Sequence, residues 1–265
     1  MHRIARNSTP IYYEFDLWHG DSALTHGVFT RLGGSSPAPF DSLNVGGTVG
    51  DDPAALRDNL RRIYAALDVA GEAACTVWQV HSADVVVVSG RAAGRHWLAR
   101  ADGMVTNIPA LPLTMRFADC TPILFQDPVR RAVGIAHAGW RGTVGKVATR
   151  TLEAMTAAYG TNPADVRAAI GPSIGVDHYE VGAEVVAAVD EAFGTTDGVI
   201  QRDAAGRTYF DLWAANRRLL VAAGVPDCQI ETAGLCTATR TDEFYSHHTK
   251  QNKTKHFCAV IALEG

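Results

Sequence analysis

The sequence lacks both an apolar run long enough to cross a membrane and an excess of charge of one sign. Its 24 Lys and Arg residues against 28 Asp and Glu residues leave a net charge of -4, so it has no general attraction for nucleic-acid phosphates or anionic membranes. A membrane helix needs about 20 apolar residues, and residues 1–15 carry basic side chains without the apolar core of a signal peptide. We therefore expect a soluble, cytoplasmic protein with neither nucleic-acid nor membrane partners.

Cysteine is scarce, and its spacing suggests no disulfide framework. The chain has five cysteines, an odd number, and none of them forms a Cys-x-x-Cys pair. A chain of 265 residues, 47% of them hydrophobic, buries enough apolar surface to fold without disulfides. We therefore expect reduced thiols, in keeping with the cytoplasm.

Short apolar runs alternate irregularly with amphipathic stretches. Runs rich in Val and Ile predict strands at residues 84–89, 112–117, 121–125, 132–138, 166–171 and 257–263. Apolar residues at helical spacing predict helices from residue 53 to before Gly71, and at 143–159, 183–193 and 211–223. Adjacent strands in the middle of the chain favour an α+β fold over repeated βαβ units. No linker or repeat divides the chain, so we predict one domain, residues 1–265.

The run 134-GIAHAGWRGTVGK-146 begins like a buried strand but ends in glycines, a tryptophan and an arginine. The spacing excludes a nucleotide phosphate loop, which needs Gly, four residues, Gly-Lys and then Ser or Thr. Here Trp140 stands where the first glycine is needed, and Val147 follows Lys146 where Ser or Thr is needed. The N–H groups of the helix that follows could still hold an anion. The histidine within the run, His137, needs another explanation.

A metal site is one such explanation. His137 closes an apolar strand, Cys120 stands just ahead of another, and His81 lies in a turn between two more. A thiolate and two imidazoles suit zinc, and three protein ligands leave a fourth position open, as in catalytic zinc sites. The separations along the chain match no short metal motif, so simple packing of these side chains stays open as the alternative.

Three segments in this order, 78-WQVH-81, 118-ADCTP-122 and 136-AHAGWRG-142, resemble the motifs of the YfiH-like family, also called laccase-domain or polyphenol-oxidase-like proteins. Further matching segments are 30-TRLGGSS-36, 43-LNVGG-47, 101-ADGMVT-106, 170-IGPSIG-175, 179-YEVG-182 and 235-LCTA-238. The resemblance extends over about residues 28–246. Several separated motifs in the right order argue against a chance resemblance, so we carry the family's properties over as expectations.

The resemblance implies a zinc-dependent purine nucleoside phosphorylase with a metal site at His81, Cys120 and His137. It implies phosphorolysis of adenosine, inosine, guanosine and methylthioadenosine, and deamination of adenosine, so the partners would be purine nucleosides and phosphate. The implied fold is a single α+β domain of packed mixed β-sheets flanked by helices, in αββα layers. Copper could take the same ligands in vitro, since it outcompetes zinc on intrinsic affinity. The sequence leaves the oligomeric state open and is compatible with a monomer.

Four further residues are candidates for catalysis or substrate binding. Arg31 could clamp phosphate with its fork of donors, and Asn44 suits a sugar or base edge because its amide both donates and accepts. Arg141 could meet a phosphate, and Asp119, with Cys120 and His137, could act in catalysis as a base or by orienting a ligand. The structural alternatives are a turn-stabilising Arg31, a turn at Asn44, a surface ion pair for Arg141 and a buried structural carboxylate for Asp119.

The C-terminal arm departs from the family pattern. His247 and His248 stand where an aromatic residue and arginine are expected, and Lys255 and His256 replace Gly-Arg. If those arginines bind substrate in the family, this chain uses other cations or prefers another substrate. The sequence does not settle whether the altered arm preserves the family activity.

Other functions compatible with the same residues stay open. A cysteine hydrolase or amidase acting on cell-wall precursors would use Cys120 as nucleophile and His137 or His81 as base. A copper-dependent polyphenol oxidase is a second alternative, although none of the ten histidines forms the His-x-His pair typical of multicopper sites. A non-catalytic module that binds a metal or metabolite is the third.

Overall fold

The computed structural model describes residues 1–5, 10–90, 97–249 and 255–265. The described strands are β1 (His2–Ile4), β2 (Tyr12–Glu14), β3 (Leu24–Phe29), β4 (Val85–Val87), β5 (Gly103–Thr106), β6 (Leu113–Phe117), β7 (Thr121–Asp127), β8 (Ala132–Ala138), β9 (Arg167–Ile170), β10 (Ile200–Arg202), β11 (Thr208–Phe210), β12 (Ile230–Thr232) and β13 (Phe257–Leu263). The described α-helices are α1 (Pro53–Ala66), α2 (Trp140–Val144), α3 (Val147–Tyr159), α4 (Ala183–Phe193) and α5 (Leu212–Ala222). The α+β class is confirmed, and all six predicted strands are present.

The helices begin and end at the residues that local chemistry favours. The Asp52 carboxylate caps α1 by accepting from the Ala54 N–H, and Pro53 occupies the first helical position. Asp211 caps α5 in the same way. Gly194 ends α4 in the left-handed conformation that glycine adopts without steric cost.

The helix predicted over residues 143–159 is wrong as a single element. The structure has two helices, α2 and α3, separated by Lys146, whose φ of 63° lies in the left-handed region. A left-handed residue cannot continue a right-handed helix, so the axis changes direction here. Helical spacing of the apolar residues alone gave no sign of this break.

Two large sheets form the body of the protein. The first has the order β1-β2-β3-β13-β6, with every neighbouring pair antiparallel. The second has the order β12-β9-β7-β8-β5-β4 and is mixed: β12 with β9 and β4 with β5 are parallel, whereas the other pairs are antiparallel. A small hairpin of β10 and β11 forms a third sheet.

The sheets pack face to face, and helices cover their outer faces. Side chains from both sheets share one apolar core, with Met115 and Ala259 from the first and Leu124 and Ile135 from the second. Because successive side chains of a strand point to opposite faces, the neighbours of Leu124 on β7 pack outward against α3 and α5. The outer face of the first sheet packs against α1 through Ile63. The predicted αββα layering is confirmed.

Within the part of the chain that the structure describes, no helix combines the length and apolar character needed to cross a membrane.

Candidate metal centre and cleft

Strand pairing brings His137 and Cys120 together. Cys120 comes directly before β7, and His137 is the second-to-last residue of β8. The antiparallel register of this hairpin sets Pro122 opposite His137, so the start of β7 lies beside the end of β8. The turn before β4 adds His81, and the ligand atoms of the three side chains all lie within 4.8 Å of one another. The predicted triad is therefore one cluster that could hold a metal ion.

Asp102, just ahead of β5, positions both histidines. Its Oδ1 lies 2.8 Å from Nδ1 of His137, which leaves Nε2 of that ring for a ligand. Its Oδ2 accepts hydrogen bonds from the N–H groups of Val80 at 3.1 Å and Ser82 at 2.6 Å. Those two residues flank His81, whose φ of 61° is an uncommon left-handed conformation. The carboxylate thus holds a strained turn and a histidine ring at once.

Sequence reasoning missed this role of Asp102, although the residue lies in the 101-ADGMVT-106 segment. The available signal was an acidic residue directly before a buried strand. Burial would raise the pKa of Asp102, but the hydrogen bonds from His137, Ser82 and Val80 outweigh burial and hold the pKa below its usual value. Histidines that ligate a metal typically hydrogen-bond an ionised carboxylate through the ring nitrogen that does not bind the metal.

The cluster favours a thiolate. Burial alone would raise the pKa of Cys120, but the charge of His137 and hydrogen bonds from His137 and His81 lower it to about 6. Burial would lower the pKa of His137, yet Cys120 and Asp102 raise it to about 9. The thiolate is the form of cysteine that binds metals and attacks electrophiles.

Gly139, which follows β8, is required by the closeness of the cluster. A Cβ at this position would lie 2.7 Å from Sγ of Cys120 and 3.4 Å from Cδ2 of His81. Its φ of -75° is open to any residue, so the reason for glycine is contact with the cluster, not backbone freedom. Glycine at position 139 therefore has a steric reason within the site.

The cluster lies in a cleft of about 680 Å³, a volume within the range of small-molecule sites. Trp140 and Arg141 at the start of α2 form part of its wall, with the Arg141 guanidinium carbon 4.3 Å from the centre of the Trp140 ring. Other residues that line the cleft include Gly46, Gly47, Trp78, Gln79, Arg116, Tyr179, Glu180 and Glu184. Of the predicted substrate contacts, Arg141 is the one that the structure places in this cleft.

The Asp119 carboxylate lines the cleft but is engaged in hydrogen bonds with other parts of the fold. Its Oδ1 accepts from the Thr237 hydroxyl at 2.5 Å. Its Oδ2 accepts from the Ser246 hydroxyl at 3.0 Å and from the His248 N–H at 2.8 Å. The carboxylate at Nδ1 of His137 is that of Asp102. A role for Asp119 in orienting a ligand histidine, or as a base, stays a prediction.

Asn44 and Arg31 do not line the metal cleft. The Asn44 amide is fully buried, donates to Asp51, and accepts from the N–H groups of Gly46 and His256. Asn44 thus shapes the glycine loop that lines the cleft, and direct contact of its amide with substrate has no support from this position.

The Arg31 guanidinium donates to the carbonyl oxygens of Asp41 and Thr241 and stacks on Tyr245 at 4.8 Å. It lines a separate cavity of about 10 Å³, which is large enough for little more than one water molecule. Arg31 therefore does not lie beside the cluster, where the sequence predicted that it would clamp phosphate.

The C-terminal arm contributes histidines to the cleft. His247, His248 and His256 all line it, whereas Lys255 lines the small cavity with Arg31. The His248 ring meets Tyr179 edge-on at 5.3 Å between centroids. Residues 250–254 of the arm lie outside the described residues. The altered part of the chain thus lies at the candidate site.

Comparison with known proteins is consistent with this geometry. A family model described as "Multi-copper polyphenol oxidoreductase laccase" matches residues 25–264. A purine nucleoside phosphorylase of Deinococcus radiodurans is 41% identical over 241 residues, which cover 91% of this chain and 90% of that protein. A protein named adenosine deaminase RL5, from an unknown prokaryotic organism, is 35% identical over 214 residues, 78% of this chain and 81% of that protein.

The crystal structure of YlmD from Geobacillus stearothermophilus superposes with a TM-score of 0.91 at 32% identity, covering 99% of both chains. The fold is therefore shared over nearly the whole chain, and the resemblance read from the sequence is confirmed. The chain belongs to the YfiH-like family, whose model carries the multi-copper polyphenol oxidoreductase laccase description.

Proposed function

We propose that the chain is a zinc-dependent purine nucleoside phosphorylase that also deaminates adenosine. The observation that carries the proposal is the convergence of His81, Cys120 and His137, with ligand atoms within 4.8 Å of one another, on a cleft large enough for a nucleoside. The names of the relatives support the activity. The proposed substrates are adenosine, inosine, guanosine and methylthioadenosine, with phosphate as co-substrate.

The donor set fits zinc. A tetrahedral zinc ion binds thiolate sulfur at about 2.3 Å and imidazole nitrogen at about 2.0–2.1 Å, so its ligand atoms stand roughly 3–4 Å apart. The three ligand atoms of the cluster already lie within 4.8 Å of one another. When bound, zinc supplies Lewis acidity, which polarises oxygen atoms and lowers the pKa of water. Three protein ligands leave room for one more.

The chain's own residues would bind and orient the nucleoside. Asp102 fixes the His137 ring through Nδ1, and it holds the turn that presents His81. Trp140 and Arg141 stand on one wall of the cleft, where a flat aromatic and a cation can contact a base and a charged oxygen. This arrangement supports binding of a nucleoside with its reacting part against the cluster.

Turnover of adenosine, measured with the metal content of the same sample, tests the proposal. Wild type loaded with zinc is expected to form adenine and ribose 1-phosphate in phosphate buffer, and inosine by deamination. Cys120→Ala is expected to lose the metal and both activities, whereas Cys228→Ala, which removes an exposed cysteine, keeps them. Full activity of the metal-free Cys120→Ala protein contradicts a metal mechanism.

A cysteine hydrolase is the second candidate, because the same atoms form a Cys-His-Asp series. Cys120 has its pKa lowered to about 6 beside His137, and Asp102 orients that imidazole, as in activated cysteine nucleophiles. His81 in the cluster favours the metal, since a nucleophile needs only one base. Iodoacetamide separates the two: a hydrolase thiolate reacts in the protein as isolated, whereas a metal-bound thiolate reacts only after chelation.

A laccase mechanism has less support from the donor set. Laccases combine a thiolate-bound copper with a cluster of three coppers held by many histidines. In the described part of the chain, one group of three ligand side chains is present. That group can hold one ion of zinc or copper. Any phenol oxidation by a copper-loaded sample should therefore stay slow against purine turnover by the zinc form.

A further inference from the structure

Arg116, near the end of β6, has no acidic partner for its charge. Across residues 1–5, 10–90, 97–249 and 255–265, no carboxylate oxygen lies within 4.0 Å of its guanidinium nitrogens. Residues 6–9, 91–96 and 250–254 contain no Asp or Glu. Arg116 lines the same cleft as the metal cluster. The protein itself therefore supplies no nearby counter-charge in this part of the cleft.

A half-buried cation without a counter-ion is costly. Burial lowers the pKa of Arg116, and no neighbouring charge offsets the effect. Transfer of a charge out of water is unfavourable unless an opposite charge or hydrogen bonds replace the lost hydration. An anionic ligand that enters the cleft would provide this compensation.

The guanidinium is held in place with donors to spare. Nε donates to the side-chain oxygen of Gln79 at 3.4 Å, and Nη2 donates to the carbonyl of Val77 at 3.0 Å. The guanidinium carbon also lies 5.9 Å from the centre of the Trp97 ring. Arginine has five N–H donors in a planar fork, and Nη1 donates to none of the described residues. A fixed fork with free donors is suited to two oxygens of a phosphate.

The fork and the metal cluster are built on the same two chain segments. Gln79, which binds Arg116, is two residues from His81. Phe117, next to Arg116, packs against the His137 ring at 5.5 Å between centroids. The position of an anion at Arg116 relative to the cluster is therefore fixed by short, well-bonded segments, and not by long mobile side chains.

We propose that Arg116 is a phosphate-binding residue of the cleft and holds the inorganic phosphate used in phosphorolysis. The inference rests on the proposed function. In the reaction, a phosphate oxygen forms a bond to C1′ of the nucleoside while the bond from C1′ to the purine nitrogen breaks. The purine leaves with the bonding electron pair and takes up a proton, which balances the proton that the attacking hydrogen phosphate loses, and the phosphate remains on the sugar. Arg116 keeps its charge throughout.

Substitution of Arg116 tests the assignment, with zinc content and thermal unfolding recorded for each variant. Arg116→Met is expected to weaken inorganic phosphate binding, measured by calorimetry without nucleoside, by at least about 10-fold. The KM for phosphate should rise by a similar factor, whereas the KM for adenosine stays within about 2-fold. Arg116→Lys keeps the charge without the fork, so its phosphate affinity and its KM for phosphate should lie between those of wild type and Arg116→Met. The matched control is Arg150→Met, an exposed arginine paired with Glu153, which should behave as wild type.

The outcomes separate this assignment from the proposed function. If Arg116→Met loses phosphate binding, the subsite is supported. If wild type also turns over no nucleoside, the subsite stands and the phosphorylase function is removed. Nucleoside phosphorolysis with an unchanged KM for phosphate in Arg116→Met removes the subsite and keeps the function. If Arg116→Met fails to fold, phosphate affinity in Arg116→Lys equal to that of wild type overturns the assignment, and affinity reduced several-fold supports it.

Adenosine 5′-monophosphate tests the source of the phosphate group. Weakened binding of inorganic phosphate by Arg116→Met, whatever the effect on the nucleotide, supports the co-substrate subsite. Weakened binding of the nucleotide with inorganic phosphate unaffected overturns it.

Discussion

At the scale of single residues, Asp102 connects two of the three candidate ligands. One of its oxygens meets the His137 ring and the other accepts from the N–H groups on both sides of His81. Outer partners of this kind fix ring orientation and raise the basicity of the ligand. The affinity of the site for metal should therefore depend on a residue that does not itself touch the metal.

Asp102→Asn is expected to lower the affinity for zinc by about 10- to 100-fold, with the fold retained. The amide has the same shape, but it lacks the charge and can accept from only one of its two positions. Zinc competition with a chromophoric chelator measures the effect. Asp84→Asn, a change in the neighbouring segment, serves as control, and equal affinity in the two variants would contradict the role of Asp102.

His26 gives the fold a dependence on pH that is independent of the metal. Its ring is buried beside Trp18, and its Nε2 accepts from the Phe15 N–H at 2.8 Å. Burial lowers the pKa of His26 to about 4, despite the opposing charge of Asp21. The folded protein therefore favours the neutral ring, and this contribution to stability is full above pH 6.5 and is lost as the pH falls towards 4.

His26→Gln keeps a hydrogen-bond acceptor and removes the titration. Between pH 6.5 and 4 the free energy of unfolding of wild type is expected to fall by up to about 3 kcal/mol more than that of the variant. Urea unfolding at several pH values measures this difference. Parallel pH profiles of the two proteins would show that the ring is not held neutral.

The sequence predicted the three candidate ligands better than the residues that position them. His81, Cys120 and His137 are reactive residue types in recognisable motifs, so they could be predicted. Asp102 could not, because its contact with His137 depends on the pairing of β5 with β8, in which Gly103 lies opposite Ala136. Arg116 was missed for a similar reason: its lack of an acidic partner is visible only when the neighbouring segments are in place.

At the scale of secondary structure, the turn at Lys146 separates α2 from α3 and so sets the direction of the wall that carries Trp140. Lys146 is exposed, and its φ of 63° costs a non-glycine residue about 1–2 kcal/mol. Its N–H donates to the Thr143 carbonyl, and its own carbonyl accepts from Arg150. The turn is therefore well bonded but strained.

Lys146→Gly should stabilise the protein by about 1 kcal/mol, because glycine adopts the left-handed conformation without a steric penalty, although its unfolded chain has more freedom. Chemical denaturation followed by fluorescence measures the change. Lys146→Ala also removes the charged side chain but retains the strain, so no comparable gain is expected from it. Equal stability of the glycine and alanine variants would show that the strain is negligible.

Elements with strong patterns were predicted well, and most of the three-residue strands were not. Runs such as 132-AVGIAHA-138 are buried on both faces, so they consist almost wholly of apolar residues. The strands β1, β10 and β11 have three residues each and, apart from Phe210, no buried side chain, which leaves too few positions for a periodicity. The break at Lys146 has no signal because lysine is common in helices.

At the scale of the whole molecule, the candidate site joins parts of the chain that are remote in sequence. The turn at His81, the hairpin of β7 and β8, and the arm with His247 and His256 all meet at the cleft. A metal bound to His81, Cys120 and His137 links the first of these to the second. A ligand that binds only the folded chain raises its stability.

Removal of zinc by a chelator is expected to lower the midpoint of thermal unfolding by about 5–10 °C when free zinc had stood near 100 times its Kd. The added chelator should leave Cys120→Ala unchanged, because this variant has lost a ligand. Differential scanning calorimetry of both proteins measures the effect. A chelator-induced shift of equal size in Cys120→Ala would place the stabilising metal elsewhere.

The layered architecture followed from the family resemblance and not from periodicity. Apolar runs identify strands, but strand order depends on pairings between distant segments. The prediction that residues 1–265 form one domain is supported by a core that both sheets share, and it stays a prediction for the chain as a whole.

Strand β13 is an interior strand of the first sheet and lies between β3 and β6. Its partners include Val28 and Met115, both opposite Ala259. During synthesis, residues 24–29 and 113–117 leave the ribosome long before residues 257–263, so the edge of each strand that β13 will cover waits unpaired. Unpaired apolar edges recruit other chains. The nascent protein is therefore most exposed to aggregation during translation, and a slow codon or a pause before residue 257 would lengthen that exposure.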